Sequence, residues 1–171
     1  MANKTTDVAI IGTGIVGIAT AYFLVKNHGV RNIVLIDRDQ PMYFTSAQSG
    51  ENYRNWWPHP TMKRLTEQSI KLMEEISVET NDRINMNRRG YLLATRKKEI
   101  ESITDQIIRS YGSESDQLVR FHRSNTHYQE PLSERWQDAP MGVDILENQR
   151  LVQQMYPHLD PSIEKIVHIR N

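Results

Sequence analysis

The stretch Asp7-Val8-Ala9-Ile10-Ile11-Gly12-Thr13-Gly14-Ile15-Val16-Gly17 decides how this chain is read. Asp7 to Ile11 is short, apolar and β-branched, as in a parallel strand covered on both faces, and it stops at glycine. Gly12 suits a tight turn, Gly14 a close backbone approach to a pyrophosphate, and Gly17 hard packing of the next helix on the strand. That helix is expected over Ile15 to Asn27, with Ile15, Ile18, Ala19, Tyr22, Phe23 and Lys26 at helical spacing and its first amides aimed at phosphate. His28-Gly29 ends it. Ile33 to Ile36 then reads as a second buried strand closing on Asp37, where a carboxylate suits the ribose hydroxyls of an adenine dinucleotide. The same carboxylate would repel a ribose 2′-phosphate, which disfavours NADP and leaves FAD and NAD open.

The bulk properties narrow the classes around that motif. The chain has 171 residues, the size of one domain, with 21 basic and 21 acidic side chains and a formal net charge of zero. Nothing general in the charge favours nucleic acid or an anionic membrane as partner. No apolar stretch is long enough to span a bilayer, and residues 1–6 run straight into the first strand, leaving no room for a signal peptide. With no cysteine, disulfides, thiol nucleophiles, iron–sulfur clusters and cysteinyl flavin links are excluded. A reducing cytoplasm is the expected compartment. The mean hydropathy of −0.61 is low for a fully covered parallel sheet, so part of the core is expected elsewhere.

Beyond Asp37, Arg38 to Pro60 reads as one long irregular segment, with prolines at 41, 58 and 60. Thr45-Ser46-Ala47-Gln48-Ser49-Gly50 offers small polar groups that suit a phosphate or ring, and Tyr53-Arg54-Asn55-Trp56-Trp57 suits a pocket wall. A helix over Thr61–Thr80 is expected to bury Met62, Leu65, Ser69, Leu72, Met73 and Ile76, with Glu67 and Lys71 paired on a solvated face. Strand-like sequence follows from Arg83 to Thr95, then a helix from Arg96 to Tyr111 burying Ile100, Ile103, Ile107 and Tyr111. Further strands are expected at Leu118–Phe121, Val143–Leu146 and Ile163–Ile169, with loops at 112–116 and 125–141 and a short helix over Glu147–Tyr156.

The ordered series of motifs resembles the N-terminal half of FAD-dependent oxidoreductases of the D-amino-acid oxidase superfamily, in particular the sarcosine and glycine oxidase-like branch. The resemblance rests on Val8–Gly17, Ile33–Arg38 and Thr45–Gly50. It continues through Leu65–Met73, Arg89–Leu93, Asp144–Leu146 and Tyr156-Pro157-His158-Leu159. It implies an α/β fold: a Rossmann-like FAD-binding βαβ unit with a parallel sheet over residues 1–82, including the flavin-proximal loop and helix. Residues 83–171 would form part of a mixed α+β substrate domain, and the whole would be incomplete. It also implies FAD contacts at Gly12, Thr13, Gly14, Ile15, Val16, Gly17, Asp37, Arg38, Ser46 and Ser49. The activity implied is hydride transfer from the carbon beside an amine nitrogen to flavin, on a small amine or amino acid. Family members are about twice this length, so a second chain completing the fold is one expectation; a truncation and a small descendant are others.

Several residues carry two readings. Arg54 pairs with a substrate carboxylate or the flavin, or else stacks on Trp56 or Trp57 at the surface; the second is the commoner behaviour. Trp56 and Trp57 wall an active site or anchor a contact, and His59 is a base or a loop residue. His122, His127, His158 and His168 lack the spacing of a metal site, and no metal is expected. Arg96-Lys97-Lys98 reads as the solvated start of a helix. Two other functions remain: an NAD-dependent oxidoreductase, and a non-catalytic subunit that binds FAD or a partner chain.

Overall fold

The computed structural model describes residues 5–50, 52–124, 127–131 and 135–170. By contacts the chain divides into two compact units, Met1–Asn52 and Tyr53–Asn171. This boundary groups the helix after Pro60 with the later strands. The sequence reading instead draws the domain division at 82/83, after that helix.

The first unit is a single βαβ element. β1 (Val8–Ile11) and β2 (Ile33–Ile36) pair in parallel, Val8 opposite Ile33 and Ile11 opposite Ile36, and are joined by α1 (Ile15–His28). α1 stops where Gly29 takes a left-handed conformation and the Gly29 and Val30 amides fold back onto the carbonyls of Val25 and Leu24. Asparagine at 27 and histidine at 28 thus fall inside the helix or at its last residue. The two strands were expected to be buried on both faces. In the structure no residue of α1 is fully buried, Ile11 is 88% exposed, and Val34, Leu35 and Ile36 are exposed too. Two strands and one helix have too few neighbours to cover both faces of a parallel sheet.

The second unit holds the core. β3 (Tyr91–Thr95), β4 (Val119–His122), β5 (Val143–Leu146) and β6 (Lys165–Ile169) form a mixed sheet in the order β3-β6-β5-β4, with β4 and β5 parallel and the other pairs antiparallel. Side chains alternate across it. Val143, Ile145, Val167 and Ile169 face Ile100, Ile107 and Tyr111 of the α3 region (α3, Glu101–Tyr111). Leu146 and Ile166 face Leu151, Val152 and Tyr156 around α5 (Gln149–Met155). Both inner strands are covered on two sides, which is why their sequences are almost continuously apolar. A 3-10 turn at Gly112–Glu114 and the short α4 (Ser115–Leu118) lead into β4, where a plain loop was expected.

Three details differ from the sequence reading. α2 (Pro60–Glu79) buries Lys63, Ile70 and Ser77, while Leu65 is 58% exposed and Met62 is exposed, so the buried stripe is rotated from the expected one. Lys63 lies over the Tyr111 ring and pairs with Glu67 at 2.7 Å, taking the partner that Lys71 was expected to have. Residues 83–90 are turns and coil. Asn81, Asp82 and Asn85 have positive φ, and the Asp82 carboxylate accepts from Ser77 Oγ (2.7 Å) and the Met86 amide (2.9 Å), a local scaffold that competes with strand pairing. α3 begins at Glu101 because residues 96–98 turn, with the Lys97 amide on Thr95 Oγ1. Of the loop expected over 125–141, residues 125–126 and 132–134 lie outside the described residues; Trp136–Asp138 is a 3-10 turn.

Candidate functional site

The turn after β1 is shaped by its glycines. Gly12 has φ +104°, a conformation that L side chains rarely adopt, and its amide continues the sheet by donating to the Ile36 carbonyl at 2.8 Å. A Cβ on Gly17 would stand 2.0 Å from the Gly12 carbonyl oxygen, so only glycine lets α1 pack this closely on the turn. Gly14 is the extended N-cap residue of α1 and supplies no side-chain cap, so the first amides of the helix are left to partners from elsewhere.

Two side chains from later in the first unit meet this turn. Asp37 Oδ2 accepts from the Thr13 amide (2.7 Å) and the Thr13 hydroxyl (3.0 Å), and Oδ1 accepts from the Asp39 amide at 3.3 Å. The Thr13 amide, then the Asp39 amide and the Thr13 hydroxyl, hold the Asp37 carboxyl below its ordinary range. Ser46 Oγ accepts from the Ile15 amide at 3.0 Å and would lie 3.3 Å from a Cβ on Gly14. The first helical amide thus already has an oxygen acceptor.

Of the residues expected to contact the cofactor, Gly12, Thr13, Gly14, Ile15, Gly17, Asp37 and Ser46 are gathered around one turn. Val16 is on α1 and 77% exposed. Arg38 points to Asp39 (3.2 Å) and lies over the Phe44 ring, and the Ser49 amide donates to the Ser46 carbonyl. Met42, which no local sequence signal marks, adopts φ +67° and donates its amide to the Thr13 carbonyl at 2.9 Å. The residues present fit an adenine dinucleotide: a glycine cradle with nothing within 4 Å of a Cβ at Gly12, a helix N-terminus, and an ionised carboxylate after β2.

In the second unit, Arg54 stacks on Trp57, its guanidinium 3.8 Å from the ring centroid and 5.7 Å from that of Tyr91. Trp56 is buried in the core with its indole N–H on Ser110 Oγ at 2.8 Å. His59 caps α2, its Nδ1 accepting from the Thr61 amide at 3.3 Å. No group of three metal-ligating side chains occurs among the described residues.

A buried polar network crosses the face of the sheet toward α5. Asp144, 2% exposed, accepts from Arg120 Nε (2.7 Å) and Nη2 (3.1 Å), from His122 Nε2 (2.7 Å) and from Arg170 Nε. Burial pushes its carboxyl up, but the Arg120, Arg170 and His122 partners outweigh that and hold it at about 2. Opposite it on β6, His168 Nε2 meets the Arg89 carbonyl at 2.7 Å. A carbonyl only accepts, so Nε2 carries the proton and Nδ1 accepts from the Tyr128 hydroxyl at 2.8 Å. Tyr128 in turn bonds the Tyr156 hydroxyl. Burial, then the Arg170 charge, lowers the His168 pKa to about 4. Sequence alone marks none of these partners, which come from 89 to 170 along the chain.

Residues 7–159 match the family model described as FAD dependent oxidoreductase. The chain is 32% identical over 90 residues to sarcosine oxidase subunit beta of Arthrobacter sp, covering 53% of this chain and 22% of that protein. It is 33% identical over 89 residues to the same-named subunit of Rhizobium meliloti, covering 50% and 21%. Against mitochondrial dimethylglycine dehydrogenase of Rattus norvegicus it is 26% identical over 114 residues, 66% of this chain and 13% of that protein. The matched segments thus span a quarter or less of these relatives.

Proposed function

Because the chain belongs to the FAD-dependent oxidoreductase family, we propose that it serves oxidation of the C–N bond of a small amine or amino acid. The observation that carries this reading is the convergence of Asp37 and Ser46 on the Gly12–Gly17 turn within the family-matched residues. When bound, FAD supplies the acceptor for a hydride equivalent from the carbon beside the amine nitrogen, and water hydrolyses the resulting imine. The glycine turn and the Ile15 amide would hold the pyrophosphate, and Asp37 would hold the adenosine ribose, releasing the Thr13 hydroxyl as it turns to that ligand. Residues 1–82 would serve the cofactor and 83–171 would be part of the substrate domain. Arg54 would meet the substrate carboxylate only by leaving the Trp57 ring.

A second reading is a non-catalytic subunit completed by another chain. It is favoured by the exposed Ile11, Val34, Leu35 and Ile36 of β1 and β2 and by the subunit names of two relatives. No described helix is long and apolar enough to cross a membrane; a cytoplasmic location belongs to the proposal.

Titrating the purified chain separately with FAD and NAD, followed by fluorescence and the visible spectrum, tests the reading. Tight FAD binding with little affinity for NAD supports it. Preference for NAD would replace it with a nicotinamide enzyme, and failure to bind either would remove any claim that this chain acts alone.

A further inference from the structure

The Asp144 network has one more positive charge than it has carboxylates to match. Asp144 is shared by the guanidinium groups of Arg120 and Arg170, two cations to one carboxylate. Arg170 is 1% exposed. Its Nε is on Asp144 and its Nη2 on the Gln129 carbonyl, while Nη1 is buried with no hydrogen-bond partner among the described residues. Arg88, 9% exposed, repeats the pattern: Nη2 pairs with Glu74, the guanidinium lies over Trp136, and Nε is buried with no hydrogen-bond partner among the described residues.

Arg88 and Arg170 both line one cavity of about 140 Å³, together with Ala139, Pro140 and the acidic Glu130 and Asp138. Asp138 is engaged by Arg135 at 2.6 Å, and among the described residues the ion pairs of Arg88 and Arg170 are to Glu74 and Asp144. A buried donor left without an acceptor is costly, and a guanidinium more so than a neutral group. The cavity has room for about four or five water-sized groups. Two forked cations offering N–H donors to a space of that size match the planar, two-oxygen geometry of a carboxylate.

We infer that this cavity binds a small carboxylate of a few non-hydrogen atoms, whose oxygens accept from Arg170 Nη1 and Arg88 Nε. The site lies wholly within the second unit, uses none of the residues around the glycine turn, and does not depend on the reading of the chain as an amine oxidoreductase. The ligand's charge would be met locally by the Arg170 and Arg88 guanidinium groups, each of which keeps a donor free of Asp144 or Glu74.

The test is an NMR titration of the full chain with acetate, and in parallel with acetamide, which has the same shape and no charge. The probes are the Arg88 Nε–H signal and the backbone amides of Gln129 and Ala139. Acetate is expected to shift these signals saturably, with a Kd of about 0.1–10 mM, and acetamide to leave them unmoved. Ala139→Val, which shortens the cavity, and Arg88→Lys, which keeps the charge beside Glu74 but removes the Nε donor, should each weaken acetate at least about tenfold. Either variant suffices if the other does not fold. Equal shifts with both probes, or none that saturates by about 100 mM, would overturn the inference and leave a water-filled space.

Discussion

The Asp37 carboxylate closes on the Thr13 amide at 2.7 Å, so the residue that ends β2 is tied to the middle of the turn that follows β1. This bond joins the two ends of the βαβ unit on the side where α1 begins. It also places a negative charge beside the helix N-terminus, where the dipole favours it.

Replacing Asp37 separates its two duties. Asp37→Ala should weaken FAD by about 10–100-fold, the worth of a charge-assisted hydrogen bond, whereas Asp37→Asn should lose less because an amide oxygen still accepts from Thr13. Fluorescence titration of both variants measures the difference. Since the folded pKa of Asp37 is depressed, its contact with Thr13 is present above the ordinary carboxylate value and is lost as pH falls through the folded one.

Gly17→Ala forces a Cβ to within 2.0 Å of the Gly12 carbonyl oxygen unless α1 moves away. A cost of about 1–3 kcal/mol is expected, confined to the first unit. Hydrogen exchange should therefore accelerate in α1 and β1 while β5 and β6 keep their protection.

Acid should unfold the second unit in two stages. His168 has a folded pKa lowered to about 4 from 6.5. It takes up its proton more readily when unfolded, so the stability tied to its neutral form is complete above about 6.5 and declines as pH falls toward 4. Asp144, held at about 2, contributes stability that is complete above about 4 and is lost between there and 2. Urea midpoints across this range check both stages, and His168→Gln should remove the upper one.

Asp144→Ala leaves the buried Arg170 without its carboxylate and should cost about 3–5 kcal/mol, enough to unfold a marginal domain. The control is Arg54→Gln. It loses ring contacts of an exposed side chain with Trp57 and Tyr91 and should change stability by less than about 1 kcal/mol.

What was legible in the sequence follows from how far apart the interacting residues are. The βαβ unit could be read because its strand, turn, helix and acid lie within 31 residues, and each step has its own local chemistry. Val143–Leu146 was readable to the residue because four apolar-framed positions sit between loop sequences. The buried stripe of α2 was not readable. Periodicity favoured Met62 and Leu65, but the face that packs carries Lys63 and Ser77, whose polar ends find Glu67, Asp82 and the Trp136 indole. Likewise Asp144 reads as one acid in an apolar run; its partners Arg120, His122 and Arg170 come from two other segments.

The first unit has one pair of strands and a helix with no fully buried residue, an assembly that is marginal by itself. Its folded population is then governed by whatever ligand it holds, because a ligand at about a hundred times its Kd adds about 2.7 kcal/mol to the folded form. Proteases that cut open chains would in effect count cofactor, sparing the N-terminal segment when the dinucleotide is plentiful and trimming it when supply falls.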